Sequence, residues 1–398
     1  MPARAFAIGP TVLSHGFRTF FLAATLFGLA VVPLWFEVWQ GEIDLGGPFQ
    51  PLDWHVHEMI FGYAGAVIAG FLFTAVPNWT GRMPIRGWPL LVLAALWLAG
   101  RLAVAGMPPL PRLAVMTVDA AFLGAIVLMI LVEIVAGKNW RNLKVLVPVL
   151  LLLGANLTFH AEVMSAGTGD VGRRLGIAGV LFLIMLIGGR IVPSFTRNWL
   201  VRRGSPSLPA PFSGFDAVSL ASAALALGTW TVAPDLAAAG TFLALAGLLH
   251  LLRLARWRGG ACWRSPLLAM LHVAYLFLPL GLLATAAGTF GLVPTAAGVH
   301  LLGIGAIGGM TVAVMIRASK GHTGQQLEAG AALTVAFVFI VVSAPVRAFM
   351  SGHPVFGIDG IALAALLWTL GFAIIALRLA PWLTSVNPAR KRPSQAPA

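Results

Sequence analysis

Polar residues along this chain fall into short clusters, and between clusters the sequence stays apolar for about 20 residues at a time, the length that carries an α-helix across a bilayer. Twelve such runs can be read: Phe17–Trp39, Trp54–Pro77, Trp88–Gly106, Leu113–Ala136, Val145–Met164, Leu175–Phe195, Phe215–Val232, Leu236–Trp257, Leu267–Phe290, Pro294–Ile316, Leu327–Met350 and Ile358–Leu383. The pattern predicts an all-α polytopic membrane protein with about 12 transmembrane helices, forming a single integral membrane domain over residues 1–398. The polar end, 385–398, is expected to be a disordered cytoplasmic tail. The first run is long enough to span and lacks a small-residue cleavage site followed by a soluble domain, so it is expected to be retained.

Charge orients these helices. With an even number of crossings the loops alternate in side. Arg82/Arg86, Lys138/Arg141/Lys144, Arg197/Arg202/Arg203, Arg253/Arg256/Arg258/Arg264, Arg317/Lys320 and Arg390/Lys391/Arg392 then all fall on the side of the N-terminus. By the positive-inside rule that side is cytoplasmic, which places both termini in the cytoplasm. The excess of 26 Lys+Arg over 13 Asp+Glu is therefore a topology signal, and nucleic acid is excluded as a partner. Hydrophobic residues make up 59% and charged residues 10% of the chain, at a mean hydropathy of +0.90, so the partner is the lipid bilayer.

A weak repeat shows at the inner ends of the second, sixth and tenth helices: AVPNWTGR (Ala75–Arg82), GGRIVPSFTRNW (Gly188–Trp199) and GGMTVAVMIRASKG (Gly308–Gly321). Inner helix ends favour Gly, Pro and Arg in any case. If the spacing of four helices is a true repeat, it implies three four-helix arcs about a pseudo-threefold axis.

Candidate chemistry rests on histidine. The lone Cys262 rules out disulfides and cysteine clusters, leaving nine histidines with carboxylates or methionines as metal donors. Polar groups in a bilayer cost roughly 2.5 kcal/mol or more unless partnered. In Asp53-Trp-His-Val-His-Glu-Met59, Asp53 reads as the N-cap of helix two. His57 is expected to face inward along a face shared with Phe61, Ala64 and Ile68, and Glu58 to orient a neighbouring imidazole. His55 and His57 lie about 200° apart around an ideal helix and cannot both face one metal unless the first turn is irregular. Helix five carries Asn156 and His160 one turn apart. Helix ten carries His300 near its outer end, ahead of Gly303, Gly305, Gly308 and Gly309, which suit either tight packing or a flat macrocycle. Histidines at similar depth on non-adjacent helices are the arrangement a haem or copper site needs, with His272 lying deeper as a further metal candidate. Arg190, within helix six, either snorkels or offers a counter-charge to a haem propionate.

Four segments make the chain resemble the NnrS family of bacterial membrane proteins along nearly its full length: FRTFFL near Phe17, WHVHEMIFGYAGAVIAGFLFTAVPNWTGR from Trp54, LIGGRIVPSFTRNWL from Leu186 and HLLGIGAIGGMTVAVMIRASKGHTG from His300. The resemblance implies twelve helices, haem and copper, and a link to nitric oxide and nitrosative stress. A looser likeness to subunit I of the haem–copper oxidases and nitric oxide reductases implies a low-spin haem held by His57 and His300. The paired histidines on helix seven and the second histidine on helix ten of that family are missing here, which argues against its binuclear centre. The expectation is bis-histidine haem ligation by His57 and His300, with His55 and His160, then His272, as candidates for copper. The expected function is protection from nitric oxide by binding it, turning it over or handling metal nitrosyl species. The alternatives are a proton-coupled secondary transporter and a metal- or electron-delivery subunit for a reductase.

Overall fold

A computed structural model describes residues 10–386 apart from 356. Twelve helices are found among the described residues. They are α1 (Gly16–Gln40), α2 (Pro51–Thr80), α3 (Trp88–Val104), α4 (Arg112–Ala136), α5 (Leu146–Ala166) and α6 (Asp170–Val201), then α7 (Gly214–Val232), α8 (Ala237–Ala255), α9 (Pro266–Thr289), α10 (Thr295–His322), α11 (Gly330–Phe349) and α12 (Gly360–Thr384). Eleven are long and apolar enough to cross a membrane. The other, α3, is an apolar helix of 17 residues, about 25 Å at 1.5 Å per residue. The tail reading for 385–398 lies, from residue 387 on, outside the described residues.

Each predicted run became one helix, with shifts at the ends that have local causes. Helix α2 begins at Pro51, whose fixed φ and missing N–H suit a first helical position. Gln50 is therefore the N-cap, and Asp53 sits inside the first turn, where its charge complements the helix dipole. Helix α6 runs on to Val201 and α10 to His322, because a helix does not stop where its hydrophobicity does. Helix α2 closes where Gly81 takes φ +71°, a left-handed conformation that ends a helix without a Cβ penalty. A two-residue hairpin absent from the hydropathy pattern, Pro354–Val355 against Ile358–Asp359, leads into α12.

Two helices change type midway. In α2 the α-helical turns of Pro51–His57 give way to a π-helical stretch, Glu58–Ala64, and return to α at Gly65. In α10 the same occurs over Leu301–Gly308. The widened stretch begins directly after His57 in one helix and directly after His300 in the other. Such insertions occur mostly as local bulges and are frequent at functional sites.

The chain divides into two compact units. The first runs to Leu153 and adds Met315–Leu327 and the chain from Phe372; the second holds Gly154–Val314 and Glu328–Gly371. In the first, α1 and α2 approach closely where Gly16 meets Phe73 and Gly70 meets Phe21. The Arg18 guanidinium donates to the carbonyls of Trp382, Leu383 and Ser385 at 2.9–3.0 Å, satisfying the last turn of α12. In the second, α9 packs on α10 through Gly281 against Leu302 and Gly298 against Thr285. Glu162 of α5 accepts from the backbone N–H groups of Val171 and Gly172 at 3.1 and 2.8 Å, which caps the start of α6.

Candidate metal centre

The first unit holds four charged or ionisable side chains in direct contact. His57 and Glu58 come from α2, Arg101 from the last turn of α3 and Asp119 from the second turn of α4. His57 Nδ1 lies 3.0 Å from Glu58 Oε1, and its Nε2 lies 3.0 Å from Asp119 Oδ2. Arg101 ties the two carboxylates together, with Nη1 3.0 Å from Glu58 Oε1 and Nη2 paired with Asp119 Oδ1. His57 is 0% exposed, both acids 1% and Arg101 7%. At such burial an unpaired charge costs several kcal/mol, so each group depends on the others.

Local sequence explains how these groups come together. The short turn between α3 and α4 sets them side by side, and Gly100 lets α4 approach: a Cβ there would fall 3.0 Å from Asp119 Oδ1. Gly62, on the π-helical stretch, leaves the space that the Arg101 guanidinium fills. The Gly62 carbonyl accepts from Trp97 Nε1 at 3.0 Å, a second tie between α2 and α3. The His57 ring is held between Phe49 and Phe61, with ring centres 4.8 and 4.9 Å away. The Phe61 contact fits the predicted shared face. Beyond it the 3.6-residue register is lost to the π-helical turns, so Ala64 and Ile68 do not follow from the helical wheel.

His55 points elsewhere and stacks on Trp35 of α1, with centres 4.2 Å apart. Asn156 and His160 are buried on α5 at 0% and 2% exposure. Arg190 is exposed on α6.

In α10 the His300 Nδ1–H donates to the Ala296 carbonyl at 2.7 Å. That bond fixes the tautomer and leaves Nε2 as the lone-pair atom, the arrangement metal-ligating histidines usually show. The glycines that follow serve packing. A side chain at Gly305 would collide with Phe277, at Gly308 with Trp368, and at Gly309 with Ala274, while Gly303 faces open space. A macrocycle does not fit against the Gly305, Gly308 and Gly309 face.

The second unit contains a buried network that the loop-charge count hid. Arg253, counted there among loop cations, is 1% exposed on α8. It donates through Nε to Asp216 Oδ1 and through Nη1 to the Met185 carbonyl and the Tyr275 hydroxyl, each at 3.0 Å. The Tyr275 hydroxyl in turn lies 2.9 Å from His250 Nδ1, and His250 Nε2 donates to the Ser219 carbonyl at 3.2 Å. Asp216 also closes a capping box with Ser213 at the start of α7. Every member has a partner, which makes this a structural network. His272 Nε2 lies 2.9 Å from Thr196 Oγ1 in a buried contact between α9 and α6. Cys262 Sγ donates to the Gly259 carbonyl at 3.2 Å, and burial raises its thiol pKa.

Sequence reasoning missed Arg101 and Asp119. Arg101 is the one charge in its predicted run and Asp119 is one of two in the next, the other being Glu133 near the far end of the helix. Opposite charges buried in apolar runs on consecutive helices joined by a short turn are a usable signal for a buried pair. A comparison with curated proteins found no match. Residues 11–386 match the family model described as NnrS protein, and on that match the chain belongs to the NnrS family.

Proposed function

We propose that this chain is a haem- and copper-containing protein of the bacterial cytoplasmic membrane, with both termini in the cytoplasm, that protects against nitric oxide. Family membership fits a nitric oxide response protein. The observation that carries the metal reading is the pair of histidines placed at the start of the two π-helical stretches, each with Nδ1 on an oxygen acceptor: Glu58 for His57 and the Ala296 carbonyl for His300. An imidazole so oriented presents Nε2 to a metal, and imidazole suits both iron and copper. On this reading His300 ligates haem iron through Nε2, the nitrogen its bond to the Ala296 carbonyl leaves free of a proton. On the same reading His57 ligates copper, in place of the haem iron that the resemblance implied for it. Bound haem or copper supplies a site where nitric oxide coordinates. The protein supplies ring orientation, through Glu58 and Ala296, and a cation, Arg101, beside the carboxylates.

The test is an optical and metal analysis of purified protein, repeated for His57→Ala, His160→Ala and His300→Ala, with nitric oxide survival of cells carrying each variant. The expected result is a Soret band that His300→Ala removes, copper that His57→Ala removes, and loss of protection in both. Protein with neither a Soret band nor copper overturns the reading.

The buried titratable quartet also favours a second reading, proton-coupled transport, because carboxylate–histidine clusters within membrane helices form proton relays. That reading expects solute uptake into proteoliposomes driven by a proton gradient, from protein without a stoichiometric cofactor.

A further inference from the structure

We propose that Asp119 is a metal ligand alongside His57, so that the pair holds a compact first-row metal ion and keeps haem iron off His57. This rests on the copper reading above and assigns its donors.

The first argument is spacing. His57 Nε2 and Asp119 Oδ2 are 3.0 Å apart. Two donors that each bind a metal at about 2.1 Å and lie that far apart subtend about 90° at the ion, the cis edge of a square-planar or octahedral site. Glu58 on Nδ1 completes the carboxylate–histidine–metal sequence in which an outer carboxylate fixes the ring and raises its basicity.

The second argument is room. A porphyrin needs a clear disc on the Nε2 side of its ligand, and here a carboxylate occupies that side. Asp119 has little freedom to withdraw. Its Oδ1 is paired with Arg101, Arg101 is paired with Glu58, and α3 lies so near at Gly100 that a Cβ there would fall 3.0 Å from Asp119 Oδ1. A single ion between two donors needs only a small shift of either side chain; a macrocycle needs α4 to move.

The third argument is charge. Two carboxylates against one guanidinium leave the quartet one positive charge short when the imidazole is neutral. In a site this buried the deficit favours a cation. A nitrogen and an oxygen donor suit Cu(II) or another divalent ion better than the softer Cu(I).

The experiment uses the full-length protein in detergent, stripped with a chelator and titrated with Cu(II) alone. Binding is read by equilibrium dialysis and the coordination by electron paramagnetic resonance. The wild type is expected to bind copper with nitrogen hyperfine coupling from one imidazole. Asp119→Asn is expected to bind at least about tenfold more weakly, with a changed copper spectrum, which corresponds to about 1.4 kcal/mol. His57→Gln should behave likewise while the Soret band of the protein as isolated persists. Glu133→Gln, which removes a charge elsewhere on α4, should match the wild type. Wild-type affinity and spectrum in Asp119→Asn, or loss of the Soret band in His57→Gln, overturns the proposal. Should Asp119→Asn fail to accumulate in the membrane, Asp119→Glu keeps a carboxylate at a different reach: an altered copper spectrum supports the assignment and an unchanged one overturns it. The function reading fails separately, when cells with the wild-type gene are as sensitive to nitric oxide as cells without it, whatever the titration shows.

Discussion

Gly62 has no side chain at the point where the Arg101 guanidinium crosses the π-helical turns of α2. A Cβ built there would collide with Arg101 Nη1 and lie 2.9 Å from Phe27 Cε1 and 3.1 Å from Glu58 Oε2. Alanine is otherwise the better helix former by about 1 kcal/mol. Gly62→Ala is nevertheless expected to destabilise the protein by about 1–3 kcal/mol, the usual range for overpacking. A lowered thermal midpoint in detergent checks this, and a raised midpoint contradicts the packing described.

Arg101 is the one cation facing both Glu58 and Asp119 within the quartet. Arg101→Ala leaves two buried carboxylates without it and is expected to cost about 3–5 kcal/mol, as removing one partner of a buried ion pair does. Arg101→Lys keeps the charge but not the fork that reaches both acids, so its stability should fall between the two. Equal stability of the alanine and lysine variants, measured by thermal unfolding, argues against the fork.

In the second unit the Tyr275 hydroxyl accepts from Arg253 and lies against His250 Nδ1. Tyr275→Phe removes one oxygen and leaves both neighbours short of a partner. A loss of about 1–3 kcal/mol is expected, the cost of unsatisfied buried polar groups. Copper content and the Soret band should be unchanged, because this network belongs to the scaffold. A metal-depleted variant of normal stability contradicts that assignment.

Burial raises the Cys262 pKa, so the thiolate that alkylating reagents need is scarcer than for an exposed cysteine. Maleimide labelling of the native protein is expected to be slow at neutral pH and to rise with pH only above the ordinary thiol range. Labelling should become complete when the protein is denatured. Rapid native labelling at pH 7, followed by mass, contradicts the buried placement.

Residue patterns alone located twelve helices within a few residues of where they stand, and they pointed to His57, Glu58 and His300 as chemistry. Each of those readings needs only nearby sequence. The cost of a span is a sum over its own residues, and Glu58 is bonded to the residue next to it in the chain. The purpose of the α10 glycines stayed open until Phe277, Trp368 and Ala274 were seen against them.

Hydropathy determined where the long apolar helices fall, eleven of them long and apolar enough to cross a membrane among the described residues, because transfer into lipid is decided run by run. Tertiary structure alone decided what His57 faces. Asp119 reaches it, and Arg101 reaches Asp119 and Glu58, through helix faces that meet by packing, and the π-helical turns rotate α2 away from the register a sequence reader assumes. Which buried charges pair depends on those rotations, and no spacing along the chain encodes them.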